Sequence, residues 1–231
     1  MKTRLTIALA LACSATAFAQ VPSPDPNYLT MAPIERYLMP SAAAEIALAR
    51  TAAPPSISSG AAILVLTKTG YVTAVKGTNG WTCLVGRAFQ GGLDSPEFWS
   101  WRNRSPVCLN PPAVKSVLPY YEARTKWAFA GATRDELAKK AQAGYADHQF
   151  TDPLPGSFSF MLSKQAYLND DVKGAWRPHV MLFVAMNQLD TWATGFEGSP
   201  IIAPPANTYR AYEPIPIFIP VHRWSDGSKD P

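Results

Sequence analysis

The first twenty residues constrain what the rest of the chain can become. Lys2 and Arg4 form a short positive segment, Leu5 to Ala12 is uncharged and apolar, and Ala17-Phe18-Ala19 is a small-x-small cleavage site. This grammar predicts a secretory signal peptide over residues 1–19, cut before Gln20. The apolar stretch is shorter than the roughly 20 residues that a membrane-spanning helix needs. Cys13 would be a lipid-attachment cysteine only if Ala10-Leu11-Ala12 served as a lipobox, which it matches poorly, so no lipoprotein is expected. Nothing after residue 20 is long and apolar enough to span a membrane as a helix. The expected location is therefore periplasmic or extracellular.

Export sets the redox chemistry. Loss of the leader removes Cys13 and leaves Cys83 and Cys108, and an isolated pair in an oxidising compartment reads as a disulfide. Two unrelated buried thiols are the alternative. A bridge closing a loop of about 25 residues would stabilise the fold by roughly 3.5 kcal/mol on the chain-entropy model. The formal charge of +4 falls to about +2 without Lys2 and Arg4. That mild balance, with no Lys/Arg cluster, argues against a nucleic-acid partner. About 212 residues then remain, enough for one sizeable core.

Residues 20–33 are rich in proline and read as an N-terminal arm, with a single globular domain over 34–231. Ser41 is an N-cap for an alanine-rich helix that Pro54-Pro55 stops. Ala62 to Leu66 and Tyr71 to Val75 read as strands, and Asn79-Gly80 is the pair favoured in two-residue hairpin turns. A third strand over Trp81 to Arg87 would then complete a three-stranded antiparallel meander near 61–87, with the disulfide pinning the loop around Pro106-Val107-Cys108 to it. Residues 88 to 110 read as loop. Asn110-Pro111 opens a helical stretch that Pro119 divides, and Thr133-Arg134-Asp135-Glu136 is a capping box. Further strands are expected around Phe158 to Leu162, over His179 to Val184, and, at a sheet edge because of Pro216 and Pro220, over Ile215 to Val221. Strands and helices in separate blocks predict an α+β fold, an antiparallel sheet with helices from 41–53 and 111–146 against it.

Local catalytic and cofactor-binding signatures are missing, and no cofactor is expected. The three histidines, His148, His179 and His222, lack metal-binding spacing, so no metal site is expected. His148 and His222 read as surface residues. His179 opens an apolar strand, where it could face a pocket as a near-neutral acid or base. The preceding loop carries Ser163, Tyr167, Asp170 and Asp171, which an antiparallel pairing would bring near it. A candidate catalytic constellation is thus Ser163, Tyr167 and His179, with Asp170 or Asp171 orienting; the alternative is a histidine that caps its strand on a loop carbonyl, with ordinary turn carboxylates. Of seven tryptophans, Trp99 and Trp101 stand beside Arg102 and Arg104 in a loop-rich stretch, and Trp176 precedes His179, so these three are candidate ligand platforms. Core filling is the competing role. Asn103-Arg104-Ser105 fits the N-glycosylation triplet.

The stretches Ala44 to Pro54, Lys76 to Val85, Trp176 to Phe183 and Trp224 to Gly227 resemble a group of uncharacterised exported bacterial proteins. The resemblance implies bacterial export and carries no activity, cofactor or site residue. The reading that follows is a secreted or periplasmic protein that binds a small molecule, glycan or envelope component. A hydrolase or transferase built on His179 with Ser163 or Tyr167, and a structural envelope or surface protein, are the alternatives.

Overall fold

In the computed structural model, residues 25–172, 174–204, 208–210 and 212–230 are described. The predicted leader, Cys13 and the first residues of the arm lie outside them. Five α-helices, α1 (Ala42–Arg50), α2 (Pro55–Ser58), α3 (Pro111–Ser116), α4 (Leu118–Phe129) and α5 (Arg134–Ala146), accompany seven strands. The strands are β1 (Ala62–Thr67), β2 (Gly70–Val75), β3 (Thr82–Gly86), β4 (Ser105–Leu109), β5 (Phe158–Met161), β6 (His179–Val184) and β7 (Ile215–Pro220). They form one sheet in the order β2-β1-β3-β4-β5-β6-β7. The fold is α+β, as the blocks of strand and helix pattern predict.

Local chemistry sets the helix boundaries. The Ser41 hydroxyl accepts from the Ala44 N–H to start α1, and the Asn110 side chain accepts from the Ala113 N–H to start α3. Thr133 and Glu136 close a reciprocal capping box on α5. Pro119 stands in the first turn of α4, where its missing N–H costs nothing, and the helical stretch divides just before it.

The sheet is mixed rather than purely antiparallel. β1 pairs antiparallel with β2, but β3 lies on the other side of β1 and runs parallel to it, with Ile63 opposite Cys83. The predicted meander is therefore corrected to a hairpin followed by a crossover. Asn79 does not take the positive φ that a two-residue hairpin turn of this type demands; only Gly80 does, at 77°. Its amide is used otherwise, donating to the Ile57 carbonyl at 2.8 Å and accepting from the Trp81 N–H at 3.0 Å. Gly77 lets the crossover pass the start of β1, since a Cβ there would sit 2.3 Å from the Ala62 nitrogen. A second correction concerns residues 105–109, which are the strand β4 and not a loop. Pro106 survives there because β5 pairs only with Cys108 and Leu109, so the proline lies beyond the reach of that ladder.

Alternation along the strands separates two apolar faces. Ile63, Cys83, Val85 and Cys108 pack with Leu48 and Ala49 of α1 on one face. Leu64, Leu66, Leu84, Val107, Leu109, Met181 and Phe183 face the other way, against residues of α3 to α5. Cys83 and Cys108 are register partners on adjacent strands and form the disulfide, on the α1 face. It joins strand to strand rather than loop to sheet. β2 and β7 are the edge strands, and the free edge of β7 is partly covered where Ile202 and Phe218 exchange backbone hydrogen bonds of 2.9 and 2.7 Å. No described helix is long and apolar enough to cross a membrane.

Candidate functional site

Alternating strand directions bring the end of β3, the start of β4, the end of β5, the start of β6 and the latter part of β7 to one end of the sheet. A cavity of about 670 Å³ opens there, between strand ends and the loops beyond them. This volume is within the range typical of small-molecule sites. Its lining comes from several stretches of chain, around residues 25, 88–97, 103–105, 161–172, 176–179, 202–204, 208–209 and 218.

One pole of the cavity is aromatic. Trp176, His179 and Phe218 pack on one another, with ring centroids 4.9 Å (Trp176–His179), 5.5 Å (His179–Phe218) and 5.9 Å (Trp176–Phe218) apart. His179 is buried, and its Nδ1 lies 2.7 Å from the Arg177 carbonyl. A carbonyl can only accept, so Nδ1 carries the proton and Nε2 of the neutral ring is an acceptor. Burial lowers the His179 pKa below the ordinary value, against a smaller opposing effect of the bond to Arg177, and so favours that neutral ring.

The other pole is acidic. Asp25, Glu97 and Asp171 contribute to the lining, and among the described residues no Lys or Arg does. The backbone ties this pole together: the Asp25 N–H donates to the Pro96 carbonyl at 3.1 Å, and the Asp170 N–H donates to Glu97 Oε1 at 3.2 Å. Glu97 Oε2 is buried and makes no hydrogen bond among the described residues. Burial raises the Glu97 pKa, and the neighbouring carboxylates Asp170, Asp171 and Asp25 raise it further, against the bond from the Asp170 N–H.

Behind the acidic pole, Asp170 is a structural hub. Its two oxygens accept from the Tyr167 and Tyr28 hydroxyls, each at 2.6 Å, and Arg102 approaches to 3.5 Å. These bonds, Tyr167 first, lower the Asp170 pKa. Burial raises that of Tyr28, and the bond to Asp170 raises that of Tyr167. Tyr28 is itself buried, so the arm is strapped to the body from residue 25 onward.

The predicted constellation separates into three environments. β5 and β6 do pair antiparallel, with Met161 opposite His179. Yet Ser163 is buried against α1, where its hydroxyl shares a 2.6 Å hydrogen bond with Thr51. Tyr167 is engaged with Asp170, and among the described residues His179 bonds to neither of them. Trp176 lines the cavity, as a ligand platform would. Trp99 does not stand at a surface: it is buried in the main core, edge-on to Phe98 with centroids 4.6 Å apart. Trp101 is half-buried, and the Arg36 guanidinium covers its ring at 3.6 Å from the centroid. Asn103 is buried with its amide nitrogen donating to the Leu168 carbonyl, so the folded chain does not present it to a glycosylating enzyme. His148 and His222 are exposed, as expected.

Sequence reading missed Asp25, Glu97 and Phe218 as lining residues. Glu97 sits in a stretch without periodicity, and nothing in its neighbourhood marks it. Gly91-Gly92 gave the one available signal: a Cβ on Gly92 would lie 2.1 Å from the Thr208 carbonyl oxygen, so this loop is pressed against the far wall. No group of three or more His, Cys, Asp or Glu residues suited to a metal occurs among the described residues. Compared with protein-family models, with curated proteins and with solved structures, the chain finds no match.

Proposed function

We propose that this chain is an exported binding protein, periplasmic or extracellular, that takes a small molecule into the cavity at the end of the sheet. The observation that carries the reading is the cavity itself: about 670 Å³, walled by aromatic rings on one side and a few polar groups on the other. The disulfide fits an oxidising compartment. A binding role is preferred to a hydrolase or transferase because the candidate partners of His179 are engaged away from it. Ser163 bonds to Thr51, Tyr167 to Asp170, and the His179 Nδ1 to a carbonyl.

The test is a thermal-shift screen of the oxidised protein against small molecules of neutral, anionic and cationic classes. A ligand present at a hundred times its Kd stabilises by about 2.7 kcal/mol. For a domain of this size that raises the midpoint by about 5–10 °C. Ala203→Trp, which places bulk in the lining, should abolish the shift while leaving the ligand-free midpoint within a few degrees. A library in which no compound moves the wild-type midpoint, or shifts that persist unchanged in Ala203→Trp, would overturn the assignment.

A further inference from the structure

We infer that the ligand of this cavity is an organic cation, a protonated or quaternary amine on a flat or apolar body, with the charged nitrogen held by Glu97 and the body against Trp176, His179 and Phe218. The inference rests on the binding role proposed above and names the chemical class that the site would select.

The sign of the lining favours a cation. Three carboxylates, Asp25, Glu97 and Asp171, border the cavity, and the described lining has no basic side chain to neutralise them. Arg102 is drawn to Asp170, which does not line the cavity. An anionic ligand would meet uncompensated repulsion, whereas a cation would relieve repulsion already present among the carboxylates.

Hydrogen-bond direction favours a donor. Glu97 Oε2 is buried and makes no hydrogen bond among the described residues, and a buried carboxylate oxygen left unbonded is costly unless a donor reaches it. His179 offers Nε2 as an acceptor, because Nδ1 must donate to Arg177. The amide nitrogen of Asn103, a donor that could have faced the cavity, is turned away onto the Leu168 carbonyl. Glu97 Oε2 and His179 Nε2 thus both ask for N–H donors.

The aromatic pole suits the same class of ligand. The negative faces of aromatic rings attract cations as well as apolar bodies, and Trp provides the strongest such face. Trp176 is only half-buried and is braced on both His179 and Phe218, so its orientation is set before a ligand arrives. A divalent metal is the less suitable occupant, since the described residues offer no cluster of three ligands.

The experiment is isothermal titration of the oxidised full domain with matched probes. Tryptamine, phenethylamine and benzyltrimethylammonium supply the charge; tryptophol and 2-phenylethanol are the neutral counterparts, and indole-3-acetate and phenylacetate the anionic ones. Amines should bind at least about tenfold more tightly than the alcohols, as expected for a charge-assisted contact. In Glu97→Gln the amide oxygen can still accept from the Asp170 N–H, and this variant should lose the amine preference while alcohol affinity stays within about twofold. Trp176→Ala should weaken amines and alcohols alike.

Alcohols or carboxylates binding as tightly as the amines, sensitive to Trp176→Ala, would overturn the cationic inference and leave the binding role standing. An amine preference unchanged in Glu97→Gln would overturn the assignment of the charged contact. Failure of all three probe classes, together with a silent thermal-shift screen, would remove both readings.

Discussion

The wall that includes Thr208 and Tyr209 is anchored through Glu213, and truncating that side chain is a stringent test of how this fold is held. Glu213 and Arg124 are each about 1% exposed, and the Arg124 Nη1 lies 3.0 Å from Glu213 Oε1. The Tyr120 hydroxyl also donates to Oε1, at 3.3 Å. The other oxygen accepts from the Leu93 N–H at 3.3 Å and the Arg210 N–H at 2.8 Å. One carboxylate therefore serves a helix and two loops. Glu213→Ala strands the guanidinium and three further donors. Removing one partner of a buried pair costs about 3–5 kcal/mol. For a domain of this size the melting midpoint should fall by about 6–20 °C. Urea unfolding of the oxidised protein measures the loss directly, as a lowered midpoint at unchanged slope.

Arg124→Met with Glu213→Leu should cost less than the two single changes added together, because no bare charge is left inside. Lys164→Ala supplies the contrast. Its pair with Asp226 spans 2.9 Å, but the side chains are 47% and 57% exposed, so the change should cost under about 1 kcal/mol. A Glu213→Ala loss below about 1 kcal/mol, or a double variant as damaged as the sum of the singles, would refute the argument that Glu213 anchors this wall.

Two further outcomes are expected. Replacing Cys83 and Cys108 together by alanine should lower stability by about 2–4 kcal/mol, read as a smaller urea midpoint than that of the oxidised wild type, because the bridge closes a loop of 25 residues between strands already in register. The pH dependence should carry a signature of His179. Its folded-state pKa is depressed, so below the ordinary value of 6.5 the unfolded chain takes up a proton that the native ring resists. Stability therefore falls as pH drops from about 6.5 towards the folded pKa, and His179→Asn should flatten this slope; unfolding curves at stepped pH for both proteins provide the comparison.

Much of the architecture is legible from short-range chemistry. Ser41, Asn110 and the Thr133–Glu136 box mark helix starts because capping involves residues three positions apart. The β6 strand and the proline-bearing edge β7 follow from apolar runs and from prolines that cannot donate. The crossover into β3 is not legible in this way. Asn79-Gly80 favours a tight hairpin locally, but the tertiary bond from the Asn79 amide to Ile57 wins. β4 was hidden by Pro106, whose position beyond the reach of β5 is a property of the sheet and not of the sequence window.

The site is less legible still. Trp176 and His179 announce themselves by sitting at a strand entrance. Asp25, Glu97 and Phe218 reach the same cavity only through the assembled topology.

Asp25 and Phe218 stand near opposite ends of the chain, yet they wall one cavity. Binding is thus a report on completed assembly. No hairpin or helix pair taken alone contains both poles, and closing them requires a loop spanning most of the described chain, whose entropic cost must be met before any contact across it repays. Ligand affinity should accordingly be acquired late in refolding, after the β1–β2 hairpin and the capped helices have formed. A chain shortened from either end should keep much of its helical signal while losing the site.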